Sequence, residues 1–207
     1  TYAISTYTIT PTVTNGTITP DAVQTVSYGG SKAFTYTANT GYHLESVKID
    51  GTAIDTSTAN KTSYTFTNVT ANHTIEVTYA IDTFTITPTV TNGTITPNTV
   101  QTVNYGESKA FTYTANTGYH IESVKIDNVP VNTTTYGLGY TFTDVQANHT
   151  IEVTYAINSY TLTINYVDED GGVLDTQHTE TLDFNETYSV DSPVLTGYTL
   201  VNAAQAT

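Results

Sequence analysis

The 207 residues carry 19 acidic against 5 basic side chains, for a formal charge of −14, and contain no Cys, Met or Trp. That balance repels phosphate backbones and anionic headgroups, so nucleic acid and membrane surfaces are excluded as expected partners. Zero Cys rules out disulfide cross-links while leaving the redox compartment open, and no run of eighteen apolar residues offers a membrane-spanning helix.

Thr dominates the composition, with Tyr and Asn enriched, and only 12% of residues are charged. Thr and Tyr favour strands, and Thr suits the wet face of a half-buried sheet. A neutral hydroxyl surface with a modest acidic bias fits an exported protein. The chain starts on Thr and lacks Met altogether, so it is read as a piece of a longer protein.

In chain order, residues 1–4 read TYAI, which recurs at 78–81 and 154–157. They are taken as the end of a preceding repeat. TITPTVTNGTITP then occurs at 8–20 and again, letter for letter, 77 residues later at 85–97. SKAFTYTANTGYH follows at 31–43 and 108–120, and ANHTIEVTYAI at 71–81 and 147–157. A period this long marks a tandem array of small folded modules. Each buries only about 60–65% of its unfolded-chain surface, so contacts between modules matter to stability.

Nearly every segment alternates with period two. Tyr7, Ile9 and Val13 face away from Thr8, Thr10, Thr12 and Thr14; Phe34, Tyr36 and Ala38 oppose Thr35 and Thr37; Ile75, Val77, Tyr79 and Ile81 form one face of the closing strand. These are strands with one buried and one wet face, as in antiparallel sheets, about six to a module. Asn15-Gly16, Asn92-Gly93, Asp50-Gly51 and Asp127-Asn128 read as type I′ hairpin turns. Parity slips between Leu44 and Val47, which predicts a bulge. The stretch 71–73 reads as a short helical turn, and no run has helical period.

Between Ile81 and Phe84 stand only Asp82-Thr83, and between Ile157 and Tyr160 only Asn158-Ser159. Two residues span at most about 7 Å, so neighbouring modules must nearly touch and a stiff rod is expected. The remainder, 158–207, opens with alternating Tyr160, Leu162, Ile164 and Tyr166. It then departs through an acidic turn at 168–172 and a late Gly197-Tyr198 turn, and it ends without a closing strand.

A strand start of alternating Thr, then NGTITP, Gly-Tyr, SVKIDG and YTFTNVTANHTIEVTY resembles the divergent internalin B-repeat family over about 5–157. YVDEDGGVL and PVLTGYTLV resemble mucin-binding-protein repeats, whose fold is β-grasp-like, over about 158–207. Both resemblances imply a non-catalytic module of a secreted or wall-attached protein, and neither brings a residue of known role.

Candidate sites are few. His43, His120, His73 and His149 recur at matching places and His178 stands alone, without the spacing of a metal pair; turn or strand-edge histidines are the preferred reading. Asp168, Glu169, Asp170 and Asp175 could gather oxygens for Ca²⁺, but they do not fit an EF-hand loop. A solvated acidic turn is preferred, and no cofactor is expected. Lys32, Lys109, Lys48 and Lys125 with Glu45, Glu122, Asn72 and Asn148 offer material for a Lys–Asn cross-link, against simple strand-face lysines. Asn-x-Thr sequons at Asn15, Asn60, Asn68, Asn72, Asn92, Asn132, Asn148 and Asn185 are candidate N-glycosylation sites in a Thr-rich chain where many arise by chance. A Thr lattice of the ice-binding kind needs a far shorter period, and no nucleophile motif or carboxylate pair supports an enzyme.

The sequence therefore predicts an all-β chain of tandem small antiparallel β-sandwich or β-grasp-like modules in an extended rod. The modules are 5–81, 82–157 and 158–207. The expected role is a stalk of a cell-surface or secreted adhesin-like protein, its partners being neighbouring repeats. Two rivals are a filament subunit completed by strand donation between copies, and a module binding host or environmental glycan.

Overall fold

The computed structural model describes residues 1–57 and 60–200. The end of the last predicted module, 201–207, lies outside the described residues. Strand accounts for 55% of the chain and helix for 2%, so the chain is all-β.

The first repeat is built from β1 (Thr6–Thr14), β2 (Gly16–Thr19), β3 (Gln24–Ser27), β4 (Lys32–Ala38), β5 (Tyr42–Ile49), β6 (Thr52–Ala53), β7 (Ser63–Phe66) and β8 (His73–Ile81). One sheet runs β3-β1-β8-β5-β6 and a second β2-β4-β7. The apolar faces read from the sequence meet here: Ile9, Phe34, Tyr36, Val47, Ile75, Val77 and Tyr79 are all buried in one core, while the alternate threonines of β4 are exposed. Each Thr/apolar alternation thus becomes a wet face and a dry one.

The second repeat repeats the plan with β9 (Thr83–Thr91), β10 (Gly93–Thr96), β11 (Gln101–Asn104), β12 (Lys109–Ala115), β13 (Tyr119–Ile126), β14 (Val129–Pro130), α1 (Thr133–Tyr136), β15 (Gly139–Phe142) and β16 (His149–Ile157). Its sheets run β11-β9-β16-β13-β14 and β10-β12-β15. The last segment contributes β17 (Ser159–Ile164) paired antiparallel with β18 (His178–Asp183). Among its described residues none belongs to the buried apolar set, and a lone two-stranded sheet is marginal by itself.

By compactness the chain divides into two units. The first is Thr1–Ile86 with Gln101–Ala110 and Thr141–His149; the second is Thr87–Val100 with Phe111–Tyr140 and Thr150–Thr207.

Several details differ from the sequence reading. Asn15-Gly16 is not a hairpin turn, because β1 pairs with β3 and β8 whereas β2 pairs with β4. Only Asn15 takes positive φ, at 60°; the pair carries the chain from one sheet to the other. The glycine is there because the Tyr79 ring lies on it, a Cβ at Gly16 falling 2.6 Å from Tyr79 Cδ2. Asn92-Gly93 does the same beneath Tyr155. The pairing of β1 with β8 is parallel, which alternation cannot reveal. Residues 71–73 form no helix; Asn72 Oδ1 instead accepts from Thr8 N at 2.9 Å. The one helix among the described residues, α1, is a single turn capped by Asn132 Oδ1 on Thr134 N. Among the described residues each repeat has eight strands, one of them only two residues long, where about six were expected.

Other expectations hold. Asp50-Gly51 and Asp127-Asn128 have positive φ at both positions and close the β5–β6 and β13–β14 hairpins. The bulge falls between Leu44 and Ser46, and again between Ile121 and Ser123.

Candidate functional site at the repeat junctions

One residue separates β8 from β9, and one separates β16 from β17. Each carries a hydrogen-bonded relay. In the first unit Asp82 N–H donates to Gly41 O at 2.8 Å, and Tyr105 N–H donates to Asp82 O at 2.8 Å. In the second unit Asn158 N–H donates to Gly118 O and Phe184 N–H to Asn158 O, both at 2.8 Å. The linking residue is therefore pinned through both backbone groups, which leaves it little rotational freedom.

An aromatic ring closes each relay. Gly41 sits at φ +79° in the turn between β4 and β5, and a Cβ there would lie 2.5 Å from Tyr105 Cγ. Gly118, at φ +82°, would place its Cβ 2.5 Å from Phe184 Cγ. Glycine is required on both counts, left-handed backbone and ring contact. Each ring comes from an equivalent tight turn. Glu107 N–H donates to Asn104 O around Tyr105, and Glu186 N–H to Asp183 O around Phe184, with Gly106 and Asn185 at positive φ.

Histidines add side-chain bonds at the same places. His43 Nδ1 is 2.7 Å from Asp82 Oδ1 and His120 Nδ1 is 2.8 Å from Asn158 Oδ1. His73 instead pairs with Asp50 at 2.7 Å within the first repeat. Neighbouring groups pull the Asp50 carboxyl upward by desolvation. Hydrogen bonds from His73 and Thr74, with the imidazole charge, outweigh this and hold it below its usual range. His149 lies against the Phe142 ring, 5.0 Å between centroids, and His178 is 3.4 Å from Glu180. All five histidines are the first or second residue of a strand, so none lies in a turn.

The acidic candidates do not converge. Asp168 Oδ1 accepts from Gly172 N at 2.6 Å and from Asp170 N at 3.1 Å, which shapes its own turn, and Asp175 Oδ1 accepts from Thr176 N at 2.7 Å. Among the described residues no three His, Asp or Glu gather around one point. Lys48 pairs with Glu76 at 3.0 Å and Lys125 with Glu152 at 2.6 Å, across the exposed face. Glu45 and Glu122 are not those partners, and Asn72 caps Thr8 while Asn148 Oδ1 caps Thr85 N at 2.8 Å.

The sequon asparagines fall into groups. Asn15 and Asn92 donate through Nδ2 to Tyr79 O and Tyr155 O at 3.1 and 3.2 Å, so a glycan on that nitrogen would break a structural bond. Asn60 Nδ2 donates to Asp55 O, and its own carbonyl accepts from the Tyr36 hydroxyl at 2.6 Å. Asn68 and Asn185 take positive φ in turns, and Asn132 caps α1.

Inside the repeats, burial pushes the Tyr36 and Tyr113 hydroxyls up to about 12, with Tyr79 and Tyr155 acting in the same direction as nearby phenols. The Tyr113 hydroxyl donates to Tyr136 O. Burial also raises Tyr79 and Tyr155, whose hydroxyls find no hydrogen-bond partner among the described residues.

The ring on the glycine was not anticipated from sequence. Its signal was present in the recurrence of Thr-Gly-Tyr at 40–42, 117–119 and 196–198, set against Tyr-Gly, Tyr-Gly and Phe-Asn at 28–29, 105–106 and 184–185.

Comparison with known families matches residues 6–83 to the divergent InlB B-repeat domain and residues 161–207 to the MucBP domain, in the order the sequence suggested. No curated protein matches the chain. Both domain families are of the adhesion type typical of bacterial cell-surface proteins. Among the described residues no helix is long and apolar enough to cross a membrane.

Proposed function

We propose that this chain is a non-catalytic spacer of a bacterial surface adhesin, in which pinned junctions hold successive modules at a fixed attitude and present an adhesive region away from the cell. The observation that supports this is the relay at Asp82 and Asn158: one linking residue, bonded on both sides, with a ring seated on a glycine. A flexible tether would use several Gly or Ser residues and no such bonds. A compact chain of 207 residues has a radius of gyration of about 17 Å. Small-angle scattering of the spacer should give a value well above that, with a rod-like profile. A value at the compact limit overturns the reading.

A second reading assigns glycan recognition to the last segment. It is favoured by the name of its domain family and by an open hollow of about 380 Å³ lined by Tyr166, Val167, Val173 and Asp175. Binding to mucin-type glycans on an array, with and without Ca²⁺, tests it; no binding in either condition removes it. Polymers that grow with concentration would instead favour the filament of strand-donating copies.

A further inference from the structure

We propose that Tyr28, with the Ser5 backbone, forms an open socket for the Thr-Gly-Tyr turn of a further repeat placed ahead of residues 1–4 in the same polypeptide. The socket lies at one end of the first repeat and involves only Ser5 and Tyr28. It therefore stands apart from the spacer reading, which is tested on the shape of the chain.

Among the described residues, three aromatic side chains occupy one kind of turn. Tyr28 is followed by Gly29 at φ 74°, Tyr105 by Gly106 at 78° and Phe184 by Asn185 at 63°. In each, the residue two places after the aromatic donates its N–H to the residue before it: Gly30 to Ser27 O, Glu107 to Asn104 O and Glu186 to Asp183 O. In each, the aromatic N–H donates at 2.8 Å to the residue that opens its module: Ser5, Asp82 or Asn158. Even the aromatic neighbour is reproduced, with Tyr7–Tyr28 and Phe84–Tyr105 centroids both 6.4 Å apart.

The difference lies in what covers the ring. Tyr105 and Phe184 are half-buried, each lying against the glycine of a Thr-Gly-Tyr turn, while Tyr28 is 60% exposed. Asp82 and Asn158 each donate their N–H to that glycine's carbonyl. Ser5 is exposed and holds the corresponding position. Among the described residues the turn also occurs once without a ring: Tyr198 N–H donates to Leu195 O, as Tyr42 does to Asn39 O, yet none of those residues comes within 4 Å of a Cβ on Gly197. Ring and turn are thus separate, preformed halves, shared by the repeats and the last segment.

The occupant follows from spacing. Asp82 stands after Thr-Tyr-Ala-Ile at 78–81 and 23 residues before Tyr105; Ser5 stands after Thr-Tyr-Ala-Ile at 1–4 and 23 residues before Tyr28. A repeat finishing on residues 1–4 brings its glycine turn to Tyr28 in register. Covalent linkage supplies the high effective concentration that one ring and one hydrogen bond need.

The test is an extended chain in which a copy of residues 5–77 precedes Thr1, followed by site-resolved amide hydrogen exchange. The Ser5 amide should exchange at least about tenfold more slowly than in the 207-residue chain, approaching Asp82 and Asn158, because exchange reports local opening. Tyr28→Ala in the extended chain should return Ser5 to fast exchange, while the same change in the 207-residue chain should leave its neighbours unaltered. Fast exchange at Ser5 beside a folded added repeat, as judged by protection of its own closing strand, overturns the proposal. A copy of 82–153 as prefix serves if the first does not fold, and failure of both to fold against residues 1–4 also counts against it. Dimerisation of the 207-residue chain that is lost in Tyr28→Ala would assign the socket to a second chain and overturn the assignment made here.

Discussion

Replacing Gly41 with Ala tests the junction at its most constrained atom. Two costs are separable. The left-handed backbone at φ +79° penalises any Cβ by about 1–2 kcal/mol. In addition the new methyl falls 2.5 Å from Tyr105 Cγ, so the ring must leave its seat or the turn must shift. Overpacking of this kind costs about 1–3 kcal/mol, which gives a total of about 2–5 kcal/mol. Gly51 provides the control, since it has φ +78° in a comparable turn and open space around the same Cβ position. Gly51→Ala should therefore cost only the backbone part. Urea unfolding of both variants, followed by far-ultraviolet circular dichroism, gives the difference directly. In a Tyr105→Ala background the excess cost of Gly41→Ala should vanish, which makes a double-mutant cycle the sharper form of the test. Equal destabilisation by Gly41→Ala and Gly51→Ala, or no coupling to Tyr105, would refute the claim that the ring is seated on the glycine.

Other outcomes follow from the core and the titrating groups. Phe34 is fully buried at the centre of the first repeat, so Phe34→Ala should cost about 3–5 kcal/mol and shift the urea midpoint without a change of fold class. The Asp50 carboxyl is held below its unfolded value. Its contribution is present above the usual carboxylate range and is lost as pH falls through its folded value. Urea midpoints of the wild type and Asp50→Asn should therefore converge on acidification, and a constant gap down to pH 2 would contradict this. Tyr36 shifts the other way. Its hydroxyl, raised to about 12, stabilises the fold below the ordinary phenol value and loses that contribution as pH rises from about 10 to about 12. Tyr36→Phe also forfeits the bond to Asn60 O, at about 1 kcal/mol near neutrality, and should show a flatter alkaline melting profile than the wild type.

Much of the fold was legible because side-chain parity in a strand has a period of two, and the core faces of Phe34-Tyr36 and Ile75-Val77-Tyr79 are written in it. The Asp50-Gly51 hairpin was legible as well, since both residue types accept the positive φ they adopt and β5 pairs directly with β6 across them. Asn15-Gly16 carries the same local signal and means something else. What decides its role is the Tyr79 ring and carbonyl, 64 residues away in the chain, which no window around the turn contains. Parity also shows which face a strand buries but not which strand lies beside it, so the parallel pairing of β1 with β8 was invisible. The junctions were half legible. Their brevity could be read directly, whereas the ring that seats on Gly41 arrives from Tyr105, in another turn of the next repeat. Only the matched recurrence of the Thr-Gly-Tyr and Tyr-Gly pairs pointed to it.

The proposed spacer requires that neighbouring modules be held by their junctions and not merely tethered. Because the chain has no native Cys, spin labels can be placed singly on Thr17 and Thr94, equivalent exposed positions in β2 and β10. Double electron–electron resonance between them should give one narrow distance distribution that broadens in Tyr105→Ala. A broad distribution in the unaltered chain, indifferent to Tyr105, would contradict the account.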